Sequence, residues 1–203
     1  MATEGESPVT FPPGQGPESD GHRADQYDRL RRRVLWSMPT GLYVIGSRSG
    51  DLVNLMTANL VMQVATSPKL VSVAVEGSSV TRRLVDEGRR FTVSILDRTD
   101  RALVRRFVKP VTDVVRGEDG TVVSIQDQAV LQVAGGLPVL AGAAGWLACE
   151  VRQVVELPRG TDGPASHVLY VGEVVGAGEA ERTPDGPELE ILRMEDTRMN
   201  YGG

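Results

Sequence analysis

A mainly β protein, an antiparallel barrel with helical covers, is the fold this sequence predicts. Residues 42–64 and 146–175 each read as two strands about a turn-rich break, the pattern of a β-hairpin. Residues 91–96, Phe-Thr-Val-Ser-Ile-Leu, read as a further strand. Only two helical stretches fall among these strands, too few for the strand–helix alternation of a parallel sheet.

In chain order, residues 1–21 are acidic and rich in Pro and Gly, and they read as a disordered tail. They lack the basic start and apolar core of a secretion signal. A single domain is expected over 22–203. It opens on a helix over 22–38, with Asp20 as a cap and Tyr27, Leu30, Val34 and Met38 at helical spacing. Arg29, Arg31, Arg32 and Arg33 surround that stripe as a solvated face. Pro39 closes the helix, 42–47 is a short buried strand, and 48–51 is a turn. From Leu52 an alternating strand runs to Val64: Met56, Ala58, Leu60, Met62 and Val64 on one face, Thr57, Asn59 and Gln63 on the other. A break at Ser67-Pro68 precedes an apolar strand over 70–75. A helix begins at Val80, just after Gly77-Ser78-Ser79.

Beyond strand 91–96, Asp97 or Thr99 caps a helix over 99–108 whose stripe is Leu103, Val104 and Phe107. Residues 110–136 hold a turn at 118–120 and a small strand at 121–125, and otherwise read as insertion loops. Residues 146–157 alternate, with Leu147, Cys149, Val151, Val155 and Leu157 inward and Glu150, Arg152 and Glu156 outward. A second strand over 166–175 completes that hairpin, and 189–194 is a last short strand.

Composition excludes several function classes. The 203 residues are 40% hydrophobic and 24% charged, ordinary for a soluble globular chain. A net charge of −5 argues against nonspecific nucleic-acid binding and against attraction to anionic lipid. No apolar run reaches the roughly 18–20 residues of a membrane span. The lone Cys149 cannot form an internal disulfide, which points to a reducing cytoplasm. Its place on the apolar strand face marks it as a core residue. Two histidines far apart give a metal site almost no material. Gly176-Ala177-Gly178 lacks the third glycine of a dinucleotide fingerprint and no helix follows it.

The helix start at Val80 carries an unusual charge pattern. First turns favour Asp or Glu, because the unpaired N–H groups there carry partial positive charge. Here Thr81, Arg82 and Arg83 stand first, and the first carboxylate is Asp86. Ser78, Ser79 and Thr81 offer hydroxyls, which with Arg82 suit a bound phosphate. An ordinary serine cap beside two solvated arginines accounts for the same residues.

The order of motifs resembles the flavin reductase-like, FMN-binding split-barrel family. The resembling pieces are Pro39-Thr40-Gly41, Met56-Thr57-Ala58-Asn59, residues 64–68 and 78–81, the strand 91–96, residues 146–151, residues 166–174, and the closing 192–203. The resemblance implies a six-stranded antiparallel Greek-key split barrel with peripheral helices. It also implies an NAD(P)H-dependent flavin reductase, passing hydride from NADH or NADPH, bound transiently, to FMN or FAD. Carried onto this chain, Met56, Thr57, Ala58, Asn59, Gln63 and Val64 border the flavin ring and ribityl, Ser78, Ser79, Thr81 and Arg82 hold the phosphate, and Tyr201 lies near the site. His167 stands where relatives carry a histidine beside the nicotinamide. The resemblance further implies a homodimer and a partner monooxygenase that receives reduced flavin. A non-catalytic flavin carrier, and an oxidoreductase acting on another substrate, remain the alternatives.

Overall fold

Runs of β-branched residues separated by short polar breaks decide the architecture. The computed structural model describes residues 21–157, 166–180 and 189–197. The chain divides into two units, one holding helix α1 and the other Thr40–Arg198, and each is described by itself.

Helix α1 (Gly21–Trp36) stands where a helix over 22–38 was expected and ends two residues short of Met38. Asp28 pairs with Arg31 at 2.5 Å and with Arg32 at 2.9 Å, the three- and four-residue separations at which helical side chains meet. The Arg31 guanidinium lies 5.1 Å from the Tyr27 ring centroid. Tyr27 and Leu30 are half-buried, whereas Val34 and Met38 are exposed. The Asp20 cap and all but the last residue of the expected tail lie outside the described residues.

The second unit begins with β1 (Tyr43–Ser49), β2 (Leu52–Ala58), β3 (Val61–Thr66) and β4 (Lys69–Glu76). Helix α2 (Val80–Gly88) and β5 (Arg90–Ile95) follow. Next come β6 (Val114–Arg116), β7 (Val122–Ile125), β8 (Gln128–Val133) and β9 (Leu137–Leu140). The long pair β10 (Gly145–Glu156) and β11 (His167–Glu179) comes last. Seven strands form one antiparallel sheet in the order β2-β1-β5-β10-β11-β4-β3.

That order forces the sheet to curl. Laid flat, six inter-strand steps of about 4.8 Å would put β2 and β3 roughly 29 Å apart. Only Asn59 and Leu60 join them, and three Cα steps reach at most about 11 Å. The two edge strands therefore meet at that link, although they do not pair into a closed cylinder. The antiparallel split-barrel expectation holds, with seven strands in the sheet instead of six. The sequence reads 52–64 as one strand, while the chain turns out of β2 at Asn59 and crosses to the far edge as β3. Inside the curl pack Ile45, Val73, Val75, Phe91, Val93, Val168 and Tyr170, with Val85 of α2 among them.

Residues 110–136, expected as loops about a turn at 118–120 and a small strand at 121–125, hold that turn and that strand (β7) and contribute most of a second sheet, β6-β7-β8-β9. Its strand β9 seals the outer face of β1 and β5. Thr92 Oγ1 donates to Pro138 O at 2.6 Å, and Leu140 N donates to Ser94 Oγ at 3.1 Å. The backbones come so close that a Cβ on Gly46 would stand 2.1 Å from Pro138 O.

Three smaller expectations are corrected. The helix over 99–108 is two 3-10 turns, Arg98–Asp100 and Leu103–Phe107. Its buried side chains, Val104 and Phe107, are three residues apart, a spacing one such turn satisfies. In β10 an extra residue at Arg152 shifts the alternation, so Val154 and not Val155 packs on the core. The last strand, 189–194, is reduced to two isolated bridges, Asp97 with Ile191 and Gly41 with Arg193. Between them Leu192 is fully buried, bonded to Leu42 and Leu96.

Candidate functional site

One corner of the barrel gathers several of the residues marked in the sequence: Asn59, Ser78, Ser79, Arg82 and His167. Ala74 N donates to Leu60 O at 3.0 Å, which sets the β2–β3 link a few residues from the turn between β4 and α2. His167 begins β11 directly opposite Glu76, the last residue of β4. Gly77 N bonds Ser166 O at 2.9 Å and ties that turn to the β11 start. Glu156, the end of β10, pairs with Val168 beside it.

At this corner a hollow of about 480 Å3 is lined by Gly77, Ser78, Ser79, Arg82, Arg83 and carboxylates of α2. Ser79 caps α2, its Oγ accepting from Arg82 N at 3.1 Å. The hydroxyl proton of Ser79 remains to be donated, and the N–H groups of Val80 and Thr81 have no intrahelical acceptor. Ser78 Oγ donates to Glu76 Oε1 at 3.2 Å. Arg82 donates to Gly77 O at 3.0 Å and to Glu156 Oε1 at 2.9 Å, and its Nε lies 3.5 Å from Asp86 Oδ2. Tyr170 Oη in turn donates to Asp86 Oδ1 at 2.6 Å. Burial raises the Tyr170 phenol, and the bond to Asp86 raises it further. It is a structural donor at neutral pH.

Two residues assigned to the site point elsewhere. Thr81 is fully buried, and its Oγ1 accepts from Asn54 Nδ2 at 2.9 Å, so it faces β2 instead of the hollow. Thr57 is buried too and donates to Val104 O at 2.6 Å. It shares no polar face with Gln63, because the link at Asn59 and Leu60 sends the two to opposite edges. Gln63 is exposed and donates to Ala65 O, and Val64 is an exposed bulge residue. Ala58 is buried, Met56 packs on the core, and Asn59 is half-buried at the link. His167 is half-buried, with Nδ1 3.1 Å from Ser166 Oγ. Tyr201 lies outside the described residues.

Sequence reading missed Asn54, Tyr170, Asp86 and Glu156 as organisers of this corner. Asn54 had a signal: it is the polar residue between Leu52 and Met56 on an apolar face. Arg82 and Asp86 stand four apart on a helix, a spacing that pairs opposite charges. Glu156 had none, since its partner lies 74 positions away.

The remaining chemistry is sparse. Burial pushes the Cys149 thiol up to about 12, so it stays protonated and unreactive at neutral pH. Among the described residues no cluster of His, Cys, Asp and Glu could hold a metal ion, and no helix is long and apolar enough to cross a membrane. A second hollow, also about 480 Å3, lies at the opposite end of β10 and β11, walled by Ile95, Trp146, Leu147 and Ile191. Its lining includes Glu179 but no cation, so it offers a phosphate nothing.

An open antiparallel barrel whose edges meet beside a helix start places the molecule among split-barrel proteins. Residues 35–199 match the flavin reductase like domain, and the chain belongs to that family. It is similar to an NADH-dependent FAD reductase of Streptomyces globisporus, 30% identical over 172 residues that cover 84% of each chain. It is also similar to the solved styrene monooxygenase flavin reductase of Pseudomonas putida S12. That chain is 26% identical, with a TM-score of 0.59, over 74% of this chain and 86% of its own. A Sinorhizobium meliloti structure shares the fold at 20% identity and a TM-score of 0.63, over 81% of this chain. This chain spans 49% of that longer one.

Proposed function

We propose that this protein is an NAD(P)H-dependent flavin reductase working at the corner where the β2–β3 link, the α2 start and His167 meet. That juxtaposition carries the reading. It sets hydroxyl and N–H donors and a guanidinium beside an exposed apolar strand edge, a combination that suits a flavin phosphate and a flavin ring. FMN or FAD, with NADH or NADPH as transient co-substrate, supplies the hydride chemistry; the chain binds and orients. Ser78, Ser79 and the first N–H groups of α2 receive the phosphate, with Arg82 behind them. Thr81 supports them indirectly, by fixing α2 to β2 through Asn54. Main-chain groups at Ala58 and Asn59, with Gln63 and Val64 of β3, border the ring. Met56 backs the link from the core side. His167 orients the nicotinamide.

Leu60, Met62 and Val64, exposed by 43%, 64% and 43%, lie at and beside the free edge strand β3. An apolar free edge of this kind is an association surface, and a second copy of the chain covers it in a homodimer. Reduced flavin passes to a partner monooxygenase, as the name of the Pseudomonas putida relative implies for that protein. The buried lone thiol of Cys149 suits a reducing cytoplasm.

Mixing the purified protein with NADH and excess FMN or FAD, and following nicotinamide absorbance, tests the reading. Sustained oxidation of many equivalents of NADH is expected. In His167→Ala, flavin affinity should hold while reduction slows and demands more NADH. A single reduction of bound flavin, or none, identifies a flavin carrier instead.

A further inference from the structure

Arg82 is held by three acceptors that differ in how firmly they are themselves held. Gly77 O, 3.0 Å from Nη1, is a main-chain group of the β4–α2 turn. Asp86, 3.5 Å from Nε, is anchored by the buried Tyr170. Glu156, 2.9 Å from Nη2, is the last residue of β10, and its side chain is 61% exposed. The fold thus fixes the inner edge of the guanidinium, while one exposed carboxylate caps the outer nitrogen.

Exposed ion pairs are weak, because water screens both charges and two long side chains must be ordered. A phosphate offers the same nitrogen a charge-assisted acceptor with oxygens to spare for Ser78 and Ser79. The charges lining the hollow agree: Arg82 and Arg83 are matched by Asp86 and Glu87, and Glu156 stands beside them as a further negative charge.

We propose that Glu156 is a stand-in anion for Arg82. It occupies the guanidinium nitrogen that the flavin phosphate takes over, and so sets how strongly the site prefers phosphorylated flavin to riboflavin. This rests on the flavin reading above and makes Glu156 a specificity residue that acts through Arg82.

Binding of FMN and of riboflavin to wild type, Glu156→Gln and Arg82→Gln, followed by quenching of flavin fluorescence, tests the assignment. Glu156→Gln should bind FMN about three- to tenfold more tightly with riboflavin unchanged, because a competitor and a repulsive charge are both gone. Arg82→Gln should lose the preference for FMN. Glu150→Gln, altering another β10 carboxylate that pairs with Arg90, should change neither affinity. If wild type prefers FMN, yet Glu156→Gln leaves the ratio unchanged or moves it toward riboflavin, Glu156 positions Arg82 and does not compete. The stand-in role then falls and the flavin reading stands. If wild type and both variants bind the two ligands alike, no phosphate is recognised here, and the phosphate assignment falls with the proposal.

Discussion

The two flanks of the seven-stranded sheet are built from similar strands and finished in opposite ways. On the flank of β2, β1 and β5, buried hydroxyls and an amide face a second layer that answers them. Thr92 bonds Pro138 O, Ser94 bonds Leu140 N, Thr57 bonds Val104 O, and Asn54 joins Thr81 to Val111 N. On the flank of β4 and β3, apolar side chains stand in solvent, and the polar groups gather at the corner with Arg82 and His167. Buried polar groups mostly find partners, Ser47 Oγ on β1 being an exception, whereas an exposed apolar edge marks a surface that something else can cover. The closed flank is therefore structure, and the open flank is where the proposed ligand and partner copy would meet the chain.

Breaking the closed flank should have the largest effect. Asn54→Ala removes the bonds to Thr81 and to Val111 N and leaves both groups without that partner. It should cost about 3 kcal/mol in denaturant unfolding, since each lost buried bond contributes about 1–3 kcal/mol. A loss below about 1 kcal/mol would mean that water reaches this layer and the flank is not sealed.

Cys149, on the central strand β10, probes the interior that both flanks share. Its pKa, near 9.0 unfolded, is raised to about 12 in the fold. Its stabilising contribution is thus fully present below about 9 and is lost as pH rises toward 12. Across that window wild-type stability should fall more steeply than that of Cys149→Ala, by up to about 1.4 kcal/mol per pH unit. Parallel curves for the two proteins would show a hydrated thiol.

The smallest effect on the fold itself is expected on the open flank. Met62→Glu with Val64→Glu should leave far-UV circular dichroism unchanged, since exposed substitutions shift stability by about 0.5 kcal/mol or less. The same pair should convert a dimer to a monomer in sedimentation velocity. A wild type that already sediments as a monomer at micromolar concentration, with flavin bound, removes the edge of β3 as an interface.

Much of this was legible in the chain. Alternation marked β10, because a half-buried strand writes its period of two into the residue order, and short apolar runs rich in β-branched residues marked β4, β5 and β11. Gly77-Ser78-Ser79 before Val80 marked the start of α2, and Ser79 is its cap as a hydroxyl before an apolar stripe should be. These are local rules, read within a few residues. The resemblance added the split barrel through the order of motifs.

Tertiary structure alone decided the rest. Residues 52–64 read as one strand, yet the chain leaves β2 at Asn59, because the curl brings the opposite edge within a two-residue step. A period of two cannot record which edge a strand joins. Of the β6–β9 sheet only β7 was legible, as the small strand over 121–125, because the sheet's short strands take their partners from each other and from the outer face of β1 and β5. Thr81 and Ser79 look alike in sequence, two hydroxyls at one helix start. The helix rotation sends one inward to Asn54 and leaves the other at the hollow. Arg82 finds Glu156 across 74 positions, a distance that no local pattern spans.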